Sequence, residues 1–109
     1  MSEAVAIHDT RPLASDSHRV EARVGWDAVS RLSVEKRGGR WYVHSVVTNE
    51  HYRGRGLARR LLAHVEREYG DVCVIPEPEA EGFWKRAGFA AADDGYWVRA
   101  PELVVRGAG

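Results

Sequence analysis

At Arg53 the spacing of apolar residues changes, and that change limits the folds open to the chain. Upstream the period is two. Val20, Ala22 and Val24 alternate with Glu21 and Arg23, the pattern of a half-buried strand. Gly25-Trp26-Asp27 can turn the chain, and Val29, Leu32 and Val34 suggest a second strand. Lys36-Arg37-Gly38-Gly39-Arg40 is a hairpin signal, because glycine supplies the positive φ of tight turns. Trp41 to Thr48 is then a third strand, rich in aromatic and β-branched residues. Downstream the period is helical. Leu57, Leu61, Val65 and Tyr69 make one apolar stripe with Ala58 and Leu62 beside it, and Gly70 stops it.

The remaining segments are shorter. Val72 to Ile75 reads as a buried strand. Glu79 to Ala87 reads as a helix opened by Pro76 and Pro78 and ended by Gly88. Phe89 to Ala92 and Tyr96 to Arg99 flank Asp93-Asp94-Gly95 as a final hairpin. Ala4 to His8 can form a short first strand, residues 9–19 read as loop, and Glu102 to Val105 can add a last strand. The expected fold is α+β: an antiparallel N-terminal meander, a helix, a parallel strand, a helix and a C-terminal hairpin.

Residues 1–109 suit one domain. No apolar run approaches the roughly 20 residues of a membrane span, and the N-terminus lacks a signal-peptide core, so a cytoplasmic location is expected. The formal net charge of zero argues against a dedicated nucleic-acid binder. Cys73 is the only cysteine, which excludes an intrachain disulfide and a cysteine-rich zinc site. No metal is expected.

The junction from Thr48 to Arg59 carries the most chemistry. A strand ends, a loop with Gly54 and Gly56 follows, and a helix begins. The first turn of a helix has unpaired N–H groups and a partial positive charge, so it attracts anions. Glycines let a phosphate approach the backbone, and Arg53, Arg55, Arg59 and Arg60 add positive potential. A diphosphate fits this arrangement. A Walker loop does not, because the required lysine is missing, and a dinucleotide fingerprint needs a third glycine.

Here the chain resembles the GNAT acetyltransferases. Their signature, Arg/Gln-x-x-Gly-x-Gly/Ala after an apolar strand, matches Arg53-Gly54-Arg55-Gly56-Leu57-Ala58. A second block, Gly82-Phe83-Trp84-Lys85-Arg86-Ala87-Gly88-Phe89, looks like the family's aromatic-rich helix ending in Gly-Phe. The resemblance covers about Val20 to Arg99. It implies a GNAT-like mixed sheet and direct transfer of an acetyl group from acetyl-CoA to an amine. By the same resemblance the backbone around Val46, Val47 and Thr48 pairs with the pantetheine arm. Backbone N–H groups from Gly54 to Arg59 hold the pyrophosphate, and Phe83 and Trp84 line the cleft near the CoA sulfur.

General-base catalysis needs a group that titrates near working pH within reach of the amine. His44 is the candidate. It stands two residues before Val46, so strict alternation places both on one strand face. Tyr42 is one step further along. His8, His18, His51 and His64 read as loop or helix-surface histidines, and Cys73 as a small buried hydrophobe. Glu77, Glu79, Glu81, Asp93 and Asp94 can attract a cationic amine or stand as solvated loop charge.

The chain departs from the family pattern at three points. Trp84 stands where the family's acidic tyrosine is expected, and an indole N–H does not protonate a thiolate. Glu77 stands where many members have asparagine. Residues 9–19 are too few for the helical pair that shapes the family's acceptor site, so that side is expected to be open or completed by a second subunit, as in a homodimer. The acceptor's identity stays open between a protein lysine, an N-terminus and a small amine. The alternative is a CoA-binding or interaction module without turnover, motivated by Trp84.

Overall fold

Val20 and Ala22 of one strand and Leu32 and Val34 of the next are fully or almost fully buried, so their shared face seeds the core. The computed structural model describes residues 4–10 and 16–99. Strands β1 (Val5–Thr10), β2 (Ser17–Val24), β3 (Asp27–Arg37) and β4 (Arg40–Thr48) form an antiparallel meander. Helix α1 (Leu57–Glu68) follows, then β5 (Val72–Val74), helix α2 (Glu81–Arg86), β6 (Phe89–Ala91) and β7 (Trp97–Arg99). They build one seven-stranded sheet in the order β1-β2-β3-β4-β5-β7-β6, with β4 and β5 parallel. The element order and the mixed α+β class agree with the expectation from sequence.

α1 packs across β2, β3 and β4. Its buried residues are Leu57, Leu61, Leu62 and Val65, the stripe read from the sequence. They meet Val20, Leu32, Val34 and Val43 in one cluster that also holds Trp84 and Phe89. β1 is tied to α1 by a polar link. Asp9 accepts hydrogen bonds from the Tyr69 hydroxyl at 2.7 and 2.8 Å, and His64 Nε2 lies 2.8 Å from its Oδ2. His18 packs with Trp41 and Tyr69, at ring separations of 5.4 and 5.2 Å. His18 and His64 are therefore partly buried structural residues, not the bland loop and surface histidines expected. His18 lies on a strand that starts earlier than its apolar pattern did.

Other boundaries move for physical reasons. β2 begins at Ser17 and β3 reaches Arg37, because backbone pairing carries polar residues beyond the apolar alternation. Glu50–Tyr52 forms a short 3-10 turn capped by Asn49 Oδ1 on the His51 N–H. Pro78–Ala80 is a second such turn, so α2 starts two residues later than read. The strand suggested at residues 102–105 lies outside the described residues.

Two bulges shift the register. One falls opposite Ala22 and Arg23, where Val29 is the extra residue. The other lies in β4, where Ser33 pairs with Ser45 and Val34 with Val43, leaving His44 without a partner. A bulge inserts one residue and reverses which face the following side chains use. Val43 is buried, and Val46, three residues on, also packs against the core. His44 is exposed. The expectation that His44 and Val46 share a face is thus corrected: the bulge puts Val46 with the core and His44 on the other, polar face.

Candidate active site

β4 and β5 pair at Trp41–Val72 and Tyr42–Cys73, and their pairing goes no further. Beyond those pairs the strands part. The gap is a cleft of about 1020 Å³. One wall is β4 from Val43 to Thr48, with His44, Val46 and Val47 among its residues. The other is Val74 to Glu77, with Phe83 and Trp84 of α2. Tyr52, Arg53, Gly54, Gly56, Leu57, Ala58 and Arg59 close the end. Among the described strands, β4 has only β3 beside it over Val46 to Thr48, so its cleft-side backbone edge can take an added extended chain.

The glycine loop shapes the closed end. Gly54 and Gly56 have φ of +79° and +74°, a left-handed backbone that glycine adopts without strain. Nothing lies within 4 Å of where a Cβ on either would sit, so the space above them is open. Gly56 caps α1 without a side-chain bond, and no acidic residue stands in the first turn. The first intrahelical bond joins the Arg60 N–H to the Gly56 carbonyl. The N–H groups of Leu57, Ala58 and Arg59 therefore precede the helical ladder and are available to an anion. Three arginines are anchored around them on carbonyl oxygens. Arg53 reaches Thr48 at 3.3 Å, Arg55 reaches His51 at 3.4 Å, and Arg59 reaches Arg86 at 2.7 Å. The last of these ties α1 to α2.

His44 sits in the bulge at the cleft wall. Its Nε2 is 2.6 Å from Oε2 of Glu35, whose other oxygen, Oε1, accepts from Arg37 Nε at 2.9 Å. These hydrogen bonds, from Arg37 first and His44 second, hold the Glu35 carboxyl well below its ordinary range, at about 2. An ionised carboxylate only accepts, so Nε2 of His44 carries the proton. In the neutral ring Nδ1 then keeps its lone pair. Glu35 was not singled out from the sequence. The signal was there: its i+2 neighbour is Arg37, and the spacing of three between Val43 and Val46 marks the bulge that brings His44 over.

The other candidates separate. Trp84 is 3 % exposed and meets Phe83 and Phe89 edge-on at 5.2 and 4.9 Å, so its rim borders the cleft while its body is core. Cys73 is buried outside the cleft lining, and burial raises its thiol pKa, the reverse of an activated nucleophile. Tyr96 meets Tyr42 edge-on at 5.1 Å and is also absent from the cleft lining. Glu77 and Glu79 do line it.

A mixed sheet with a glycine loop leading from its fourth strand into a helix agrees with the sequence resemblance. The family model of the acetyltransferase (GNAT) domain matches residues 7–99. The chain belongs to the GNAT acetyltransferase family. Solved structures agree on the fold. A GNAT family protein from Desulfovibrio desulfuricans superposes with a TM-score of 0.64 at 23% identity, over 71% of this chain and 57% of that one. A protein assigned as a streptothricin acetyltransferase from Bacillus anthracis, solved with acetyl coenzyme A, gives 0.66 at 15% identity over 76% and 62%. The IAA acetyltransferase from Bacillus cereus gives 0.65 at 17% identity over 83% and 79%. The chain thus spans less than two thirds of the first two proteins. At these identities the likeness is one of fold. Comparison with curated proteins finds no match. No described helix is long and apolar enough to cross a membrane.

Proposed function

We propose that this GNAT protein is an N-acetyltransferase that moves an acetyl group directly from acetyl-CoA to an amine. The observation that carries the reading is the cleft, whose closed end offers free helical N–H groups at Gly56 and whose wall carries His44. Acetyl-CoA, the co-substrate, supplies a thioester carbonyl carbon for attack and a thiolate that leaves. The N–H groups from Leu57 to Arg59 and the flanking arginines hold the diphosphate. The open edge of β4 from Val46 to Thr48 pairs with the pantetheine arm, and Phe83 packs beside its sulfur end.

His44 is the general base. Its Nδ1 takes the proton that the amine must lose, directly or through one water. Glu35 holds the ring by accepting from Nε2–H and balances the imidazolium that forms. The thiolate takes its proton from solvent, since Trp84 has no acidic group to give.

That same tryptophan favours a second reading, a CoA-binding or interaction module without turnover. Thiol release from acetyl-CoA in the presence of a broad panel of amines decides between them. Acceptor-dependent release that disappears in His44→Ala, with CoA affinity kept, supports transfer. Tight CoA binding with no release on any amine supports the module.

A further inference from the structure

A second depression, of about 410 Å³, lies on the polar face of the meander. Its lining and that of the cleft have one residue in common, His44. The amine nitrogen must reach both the base and the thioester carbon, so with the thioester in the cleft it stands at His44 on the cleft side. The rest of the acceptor can then extend past His44 into this second depression.

The lining of this depression is chemically distinct. Thr10, Ser17 and Ser33 bring hydroxyl groups, and Arg19 and Arg23 bring guanidinium groups. Its one carboxylate, Glu21, is 6 % exposed. Glu21 is already committed: Arg23 lies 2.7 Å from one oxygen and Arg31 3.6 Å from the other. Glu21 therefore anchors arginines and is not open to a cation. Pairing across the strands sets Arg19 beside Ser33, and Ser33 beside Ser45, next to the His44 bulge. Guanidinium groups bind carboxylate and phosphate oxygens in a planar fork and repel ammonium. Glu77 and Glu79 line the cleft, on the other side of His44 from Arg19 and Arg23.

We infer that the acceptor is an amine that also carries an anionic oxygen group, docked on this face with its anion over Arg19 and its nitrogen at His44. The inference rests on the transferase reading and names its substrate class. An amino acid, or a peptide N-terminus followed by an acidic side chain, has this zwitterionic form. A polyamine does not.

The test uses matched acceptor pairs with the full chain and acetyl-CoA. One pair is an amino acid and its decarboxylated amine; another is an aminoalkyl phosphate and the corresponding amino alcohol. The anionic member of at least one pair is expected to have a kcat/KM higher by roughly tenfold or more, and which pair responds separates carboxylate from phosphate. Arg19→Ala, an exposed strand change, is expected to raise KM for that member roughly tenfold and leave the counterpart that lacks the anion unaffected. Arg19→Lys should restore part of the loss. Equal kcat/KM within both pairs, or an unchanged KM in Arg19→Ala, overturns the inference. Should no amine give turnover, calorimetric titration of the same pairs into the CoA-loaded protein still decides. Binding of the anionic member that Arg19→Ala abolishes supports the site while the transferase reading falls; absence of binding removes both.

Discussion

Glu35 and His44 meet across the β3–β4 pair at 2.6 Å, at the point where a bulge leaves His44 without a strand partner. Regular alternation and the bulge make different statements about His44. Alternation would set it with Val46 in the core face. The bulge turns it toward Glu35 and leaves it bordering two depressions at once.

His44→Ala is expected to lower turnover by roughly 10²–10⁴-fold with little change in CoA affinity. Turnover and CoA affinity, measured on wild type and variant, check this; unaltered turnover would move the base to Glu77 or to a water on the strand backbone.

Glu35→Gln keeps the shape and removes the charge that holds the ring. Turnover should fall by less than in His44→Ala. In the double variant the two losses should not add, because both act through one imidazole. The sign of the pH effect on stability follows from the depressed pKa. Glu35 ionises more readily when folded, so its contribution is present above the ordinary value of 4.5 and is lost as pH falls toward about 2. Melting temperatures from pH 6 to 2 should decline less steeply in Glu35→Gln.

Gly56→Val should remove measurable CoA binding. Each lost N–H contact to a charged oxygen is worth about 1.5–3 kcal/mol, and the new side chain fills the open space over the loop. The left-handed φ at Gly56 adds strain of roughly 1–2 kcal/mol, so a lower melting temperature should accompany the loss. Calorimetric titration with CoA, at a temperature where the variant is folded, separates the two effects.

Cys73→Ala should retain most activity and form no acetylated enzyme, since the thiol is buried away from the cleft. Intact-mass spectrometry after incubation with acetyl-CoA reads this directly. An acetyl group trapped on Cys73 with turnover lost in the variant would replace direct transfer by a two-step route.

Tyr69→Phe removes the hydroxyl that Asp9 accepts. A stability loss of about 1–2 kcal/mol is expected, with CoA affinity unchanged, because this link fastens β1 to α1 far from the loop. Denaturant titration alongside CoA titration tests both halves.

Much of this was legible in the sequence because local signals agreed with the fold. The Leu57-Leu61-Val65 stripe, the Gly38-Gly39 turn and the Gly54–Gly56 loop each encode their own geometry. The loop residues and Phe83 also come together around one cleft. What escaped was non-local. The side a residue faces after a bulge depends on pairing with another strand, so His44 was set beside Val46. Glu21 reads as the outward member of an alternating strand, yet Arg23 and Arg31 fold over it from two strands. His64 reads as helix surface because its partner, Asp9, is 55 residues away.

The two residue pairs between β4 and β5 also have a mechanical meaning. They are the backbone seam between the four-stranded meander and the β5-β7-β6 half. A ligand arm lying along β4 would lengthen that seam and act as a splint across it. Occupancy of the cleft should therefore be felt at a distance, as slower amide exchange in β5 and β7 than in β1 or β2. A bound arm of that kind would be a structural member of the sheet for as long as it stayed.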